Sequence, residues 1–303
     1  MKAGVVGNSA SLRLAMLWLV VFVQAVGGVA QAQTAQLDGL RARHAELREA
    51  LDKSAFKEPL VLTSSDTGDH VAGDVYAELK RPIADIGAAF KSAAKACDLL
   101  FLHLNVRACQ AQATGAGETL ALSIGPKRAS AAGMVYHMSY ALRVETDTPQ
   151  YLRVLLTAAD GPLSTGDYRI VFEAMPLDGQ RVFLHFSYTY AYGALAKMAM
   201  GVYLATAGRA KIGFTVIGQT ADGRPVYVGG ERAALERNVM RYYLALLAYL
   251  SVSPGTSQQS VEERLRTWFQ STERYAPQLH EFDLDEYLDE KHKDLRRLAG
   301  AGR

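Results

Sequence analysis

"RVFLHFSYTYAYG", residues 181–193, packs five aromatic rings into thirteen positions. Successive side chains of a β-strand point to opposite faces. On that period Phe186, Tyr188 and Tyr190 share one face, and Ser187 and Thr189 share the other. This pattern reads as a strand with a polar side and a ring-bearing side. Its rings either fill a core or line a space kept for something else.

Working outward, the same rhythm continues upstream. "LALSIGP" (120–126), "MVYHMSYALRVE" (134–145), "YLRVLLTA" (151–158) and "YRIVFEAMPL" (168–177) all read as strands. The separators "TGAGE", "DTPQ", "ADGPLSTGD" and "LDGQ" are rich in turn formers. Short strands at such intervals predict an antiparallel meander over about 106–228. A helical piece, "ALAKMAMGVYLAT" (194–206), interrupts it. "RAKIGFTVIG" and "RPVYVGG", joined by the turn "TADGR", are expected to close it as two more strands.

Next comes "ERAALERNVMRYYLALLAYL" (231–250), a long helix with Leu235, Val239, Tyr242, Leu246 and Leu250 on one stripe. Its second half is apolar nearly all round, which calls for cover on two sides. The tail, with Leu265, Trp268 and Phe269 after the breaker "SPGTS", is the expected second cover. Upstream of the meander, "HVAGDVYAELK" (70–80) reads as a strand after a loop, "SSDTGD". Pro82 opens a helix, where its missing N–H costs nothing. Ile83, Ile86, Phe90, Ala94, Cys97, Phe101 and Leu104 would be that helix's apolar face. Residues 34–53 read as a further helix, with a structural His44 on the stripe of Leu37, Leu40, Leu47 and Leu51.

The N-terminus has the pattern of a secretory signal. Lys2 and Arg13 precede or enter an apolar run that ends at Ala30-Gln31-Ala32, and cleavage is expected after Ala32. The rival is an uncleaved anchor. The expected division is a signal at 1–32, a helix and linker at 33–69, a main domain at 70–255 and a helical extension at 256–303. Two of the 33 basic residues lie in the leader, so the remainder carries 31 basic and 31 acidic residues. A neutral chain gives no electrostatic case for nucleic acid. The expected location is the periplasm or outside the cell.

In an exported protein two cysteines, Cys97 and Cys109, suggest a disulfide. On one continuous helix they would stand ~18 Å apart, too far to bond. A helix end at Asn105, with the chain returning as a strand, makes the bridge feasible. Two buried thiols are the alternative.

The motifs of serine hydrolases, zinc proteases, P-loops and dinucleotide folds do not occur. No cofactor and no metal are expected. The order of His280, Glu281, Asp283, Asp285 and Glu286 does not fit a calcium loop. His103, His137 and His185 either converge or serve structure separately. Two basic pairs, Arg209 with Lys211 and Arg237 with Arg241, would hold an anionic head group if they border one opening. Otherwise they pair with Glu231, Glu236 or the acidic tail.

The order of strand, helix, antiparallel meander and long C-terminal helix resembles the helix-grip fold of the START-like superfamily. That superfamily includes lipid-transfer domains, polyketide cyclases and aromatases. The resemblance spans about 70–251 and rests on element order and on "CDLLFLHLN", "GDYRIVFEAMPL…RVFLHFSYTYAYG" and "ERNVMRYYLALLAYL". It is similar to an exported bacterial subgroup, and departs from the usual pattern in the 194–206 insertion and the tail after 255. The resemblance implies an α+β fold whose curved antiparallel sheet wraps the long helix around a cavity. Phe186, Tyr188 and Tyr190 would face that cavity with Tyr136, Met138 and Tyr140, and Tyr242 and Leu246 would face it from the helix. Tyrosine suits such a wall, offering an apolar ring and one hydroxyl. Three functions are expected to compete: a carrier of a hydrophobic small molecule or lipid, a cyclase-type enzyme using acid and base groups, and an interaction module for an envelope protein partner.

Overall fold

The computed structural model describes residues 10–115, 117–127, 135–206, 208–252, 255 and 257–301. The chain divides into two units, one ending at Arg48 and one beginning at Glu49. Helix α1 (Ala10–Asp52) makes up the described part of the first and enters the second. The expected cleavage site after Ala32 falls within this helix in the uncut chain, and Lys2 lies outside the described residues. Among the described residues no helix is long and apolar enough to cross a membrane.

The second unit is α+β. Its strands are β1 (Leu60–Asp66), β2 (His70–Leu79), β3 (Val106–Thr114), β4 (Gly117–Ile124), β5 (Tyr136–Asp147), β6 (Leu152–Asp160), β7 (Thr165–Pro176) and β8 (Val182–Tyr192). They form one antiparallel sheet in the order β1-β2-β8-β7-β6-β5-β4-β3. The meander is therefore sequential from β3 to β8, and β2 closes onto β8. Two helices, α2 (Ile83–Phe90) and α3 (Ala93–Leu100), link β2 to β3. The long helix α5 (Gly230–Ser251) packs on β1, β2 and β8, while α3 packs on β3 and β4. A sheet gripping a long helix at one end and a helix pair at the other is the helix-grip fold.

Gly73 on β2 is where the helix comes closest. A Cβ there would lie 2.7 Å from Val239 Cγ2 and 3.1 Å from Leu235 Cγ. The absent side chain lets α5 settle onto the strand, and Leu235, Val239 and Leu246 are buried.

Three local readings change. The expected loop "SSDTGD" is half strand: Ser64, Ser65 and Asp66 pair with Gly73, Ala72 and Val71, and only Thr67–Asp69 turn. The helix expected from Pro82 to Leu104 is two helices. Ser92 breaks it by capping α3, its hydroxyl accepting from the Lys95 N–H. The second ends at Leu100, and the chain turns through 101–105 before β3. The two strands expected after 208 do not close the sheet. Only β9 (Val216–Gln219) and β10 (Pro225–Tyr227) form, as a separate two-stranded ribbon. Residues 209–215 are irregular, and at Phe214 and Thr215 the side chain of Glu236 takes the place of a strand partner. Its buried carboxylate accepts from the N–H groups of Phe214 (2.6 Å) and Thr215 (2.9 Å) and from the Thr215 hydroxyl (2.6 Å).

Cys97 and Cys109 are joined, with Cα atoms 5.2 Å apart and a sequence separation of 12. The bridge ties α3 to β3. Closing so short a loop constrains the unfolded chain by about 3 kcal/mol. Cys97→Ser with Cys109→Ser should lower the free energy of unfolding by about that much in denaturant titration. A loss below about 1 kcal/mol would show that the α3–β3 junction holds without the bridge.

The C-terminal extension provides the second cover for α5. Helix α6 (Gln258–Glu273) packs along it, and Trp268 is buried with its indole N–H donating to the Arg241 carbonyl at 3.0 Å. After the short α7 (Ala276–Leu279), α8 (Leu284–Ala301) packs on α6 and β3. Helix α4 (Ala194–Ala205) lies against β8 and the 162–164 turn.

Candidate functional site

The ring-bearing face of β8 splits into two environments. At one end Phe186 is buried, 5.8 Å from the Phe172 ring and 6.3 Å from Tyr242. Phe172 in turn lies 4.0 Å from Phe90 on α2. The space left among these rings is only about 20 Å³, so this half is packed core. Farther along, Tyr188 and Tyr190 keep accessible surface because they border a pocket of about 290 Å³. Tyr168 on β7 stacks on Tyr190 at 5.3 Å and completes the ring wall. Ala196 and Ala199 of α4 close one side, and Glu231 and Asn238 border it from α5.

The polar atoms of this wall are protonated hydroxyls. Burial, reinforced by neighbouring phenols, pushes Tyr188, Tyr190, Tyr140 and Tyr242 above the ordinary tyrosine range, and burial raises Tyr168 against the opposing hydrogen bond to Thr165. The Tyr168 hydroxyl shares a 2.6 Å hydrogen bond with Thr165, and the Tyr192 hydroxyl donates to Asp66 at 2.7 Å. The rim is strained: Leu163, Ser164 and Asp167 sit at φ of 55°, 63° and 50°. Such left-handed backbone is rare outside glycine and gathers at functional loops. Leu163 also borders the pocket and is exposed.

The other expected wall residues lie elsewhere. Met138 and Tyr140 are buried on the inner face of β5, and Tyr136 is half-buried on the same face. Leu246 is in the packed core, and Tyr242 sits between core and pocket, 6.0 Å from Tyr188 and 4.6 Å from the His103 ring. Tyr168 and Asn238 did not figure in the expected wall. Asn238 is one turn before Tyr242 on the same helix face, and Tyr168 alternates with Ile170 and Phe172, so both lay within reach of the periodicity already in use.

The three histidines have separate partners. His103 is buried; burial first, then Arg241 and Lys291, hold it well below its usual value and neutral. His137 meets Ser123, and His185 lies between Asp74 and Glu173.

Nor do the basic pairs gather at the pocket. Lys211 (3.0 Å) and Arg241 (3.1 Å) meet Glu281 of the tail, with Lys127 at 2.6 Å. Arg237 donates to the Ile212 carbonyl, and Arg209 is exposed. Burial alone would raise Glu281, but Lys127, Arg241 and Lys211 hold it down at about 2. Lys127 is itself lowered to about 8 by burial, against the pull of Glu281. The folded carboxyl lies below its ordinary 4.5, so its stabilisation is present above pH 4.5 and fades as pH falls toward about 2. Thermal unfolding across that window should show a drop in midpoint that Glu281→Gln flattens. An equal drop in the variant would assign acid sensitivity to other groups.

No family model and no curated protein matches the chain. Solved structures with a similar fold include the Zhui aromatase/cyclase of Streptomyces sp. R1128, at 16% identity and a TM-score of 0.34, covering 60% of this chain and 92% of that one. Norcoclaurine synthase of Thalictrum flavum matches at 15% and 0.30, covering 47% and 84%. Human StAR-related lipid transfer protein 5 matches at 9% and 0.30, covering 58% and 90%. These are START-like, helix-grip proteins. The fold assignment stands on this chain's own strand order and helix packing, to which scores of this size add nothing.

Proposed function

We propose that this protein binds a hydrophobic small molecule, with at least one polar group, between the sheet and α4. The observation that carries the reading is the split of the aromatic face: Phe186 is packed, whereas Tyr188 and Tyr190 border a pocket of about 290 Å³. Small-molecule sites run from about 300 to 1,000 Å³ and combine apolar walls with a few placed polar groups. A single compact ring system or one acyl chain suits this size better than a two-chain lipid. The phenols offer hydroxyl donors to the ligand's polar group.

The proposed setting is the periplasm or cell exterior. The signal-like leader supports it, and so does the disulfide, since such bridges persist in oxidising compartments. In the proposed division residues 70–255 hold the ligand and 256–303 brace the long helix. Native mass spectrometry of protein released gently from its cells tests the carrier reading. An apolar adduct that dissociates on activation supports it. Bare protein with a stable protein partner would favour an envelope interaction module, and an adduct converted to a new product on incubation would favour cyclase-type chemistry.

A further inference from the structure

A second pocket, of about 450 Å³, lies where α2, α3, the end of α5 and α6 meet. Its lining is unlike the tyrosine wall. Arg264 of α6 is 3% exposed, and its guanidinium lies 4.4 Å over the Tyr249 ring. Its Nε has no hydrogen-bond partner, and among the described residues no carboxylate comes within ion-pair distance of the guanidinium, although Asp98 is near enough to feel its charge. Arg81 and Lys95 also line the pocket, and among the described residues neither is in an ion pair. A buried charge without a hydrogen-bonded partner is costly, and proteins ordinarily pair such groups. A ring face offsets part of that cost for a guanidinium and leaves its donors in the ring plane unused.

We propose that this pocket binds the oxyanion of a small molecule, a carboxylate or a phosphate, on Arg264, with Arg81 and Lys95 at its flanks. The planar guanidinium matches either oxyanion through paired N–H donors. Two acids also border the space. Asp85 is exposed, so solvent screens it. Asp98 borders it from α3, and burial raises its carboxyl, with Arg264 opposing. The site is separate from the tyrosine-walled pocket and stands whether or not that pocket carries a ligand.

The test is NMR titration of the full chain with inorganic phosphate and, in a separate arm, with acetate. Chloride at matched ionic strength is the control, and the side-chain Nε–H signal of Arg264 is followed, assigned by its loss in Arg264→Lys. The expected result is a saturable shift with one of the two anions, and the anion that gives it names the class. Arg81→Ala with Lys95→Ala changes only surface-accessible lining and leaves the buried stack intact. That double variant should weaken the affinity by about tenfold. No saturable shift with either anion, a shift that chloride reproduces, or an affinity unchanged in the double variant would overturn the proposal.

Discussion

Lys291→Met should destabilise the protein by about 3–5 kcal/mol, the range expected when one partner leaves a buried charge network. Lys291 lies on α8 and is 1% exposed. Its ammonium donates to the carbonyls of Phe101, His103 and Val106 at 2.6, 2.7 and 2.8 Å. Those carbonyls belong to the turn between α3 and β3, where helix geometry has ended and strand pairing has only begun. Burial pulls this lysine down, and Asp294 opposes the pull. Three acceptors require three N–H donors, which only the charged ammonium has. Arg107 joins the network, 3.2 Å from Glu290 and 2.8 Å from Asp294. Methionine keeps the apolar stem but leaves three carbonyls unsatisfied and the acids short of a cation. Denaturant unfolding reads the loss directly, with Lys293→Met as control. Lys293 is half exposed on the same helix, meets Glu290 from the solvent side at 2.8 Å, and should change stability by no more than about 1 kcal/mol. If the two variants unfold alike, α8 does not clamp the α3–β3 turn.

Phe186→Ala and Tyr188→Ala should differ although the residues are two apart on one strand face. Phe186 fills packed core, and truncating it should cost about 3–5 kcal/mol. Tyr188 borders open space and has fewer packing contacts to lose, so Tyr188→Ala should cost less than about 2 kcal/mol. Its main effect should be on ligand uptake. Thermal and denaturant unfolding of both variants checks this. Equal large losses would mean that the tyrosine ring is core filling like the phenylalanine.

Much of this architecture was legible because two signals act locally. Period-two alternation marked β2, β5, β6 and β8 within a residue or two and β7 within three, and the stripe from Leu235 to Leu250 marked α5. The misreadings share a cause in long-range satisfaction of the backbone. Residues 209–215 alternate like a strand, yet the N–H groups of Phe214 and Thr215 go to the side chain of Glu236. Ser64 to Asp66 look like a loop because β1 is an edge strand whose outer positions meet water. Ser92 carried a usable cap signal inside a run that otherwise reads as one helix. The site was half legible. That aromatics would line β8 followed from the strand period. Which of them have partners depends on Phe90, Phe172 and the position of α4, and no local pattern encodes that. For the basic pairs the second of the two readings holds, since Lys211 and Arg241 meet Glu281 of the acidic tail, although it lies forty positions beyond Arg241 in sequence.

The proposed ligand is apolar and lies in the space beside Tyr188 and Tyr190. Fluorescence titration with N-phenylnaphthylamine, a neutral apolar dye, tests that placement most directly when run on the wild type and on Ala199→Trp. Ala199 borders the pocket from α4, so an indole there occupies the space without removing any core side chain. The account predicts saturable one-to-one binding to the wild type and at least about tenfold weaker binding to the variant, equivalent to about 1.4 kcal/mol, with the unfolding midpoint unchanged. No binding by the wild type, or equal binding by both, would contradict it.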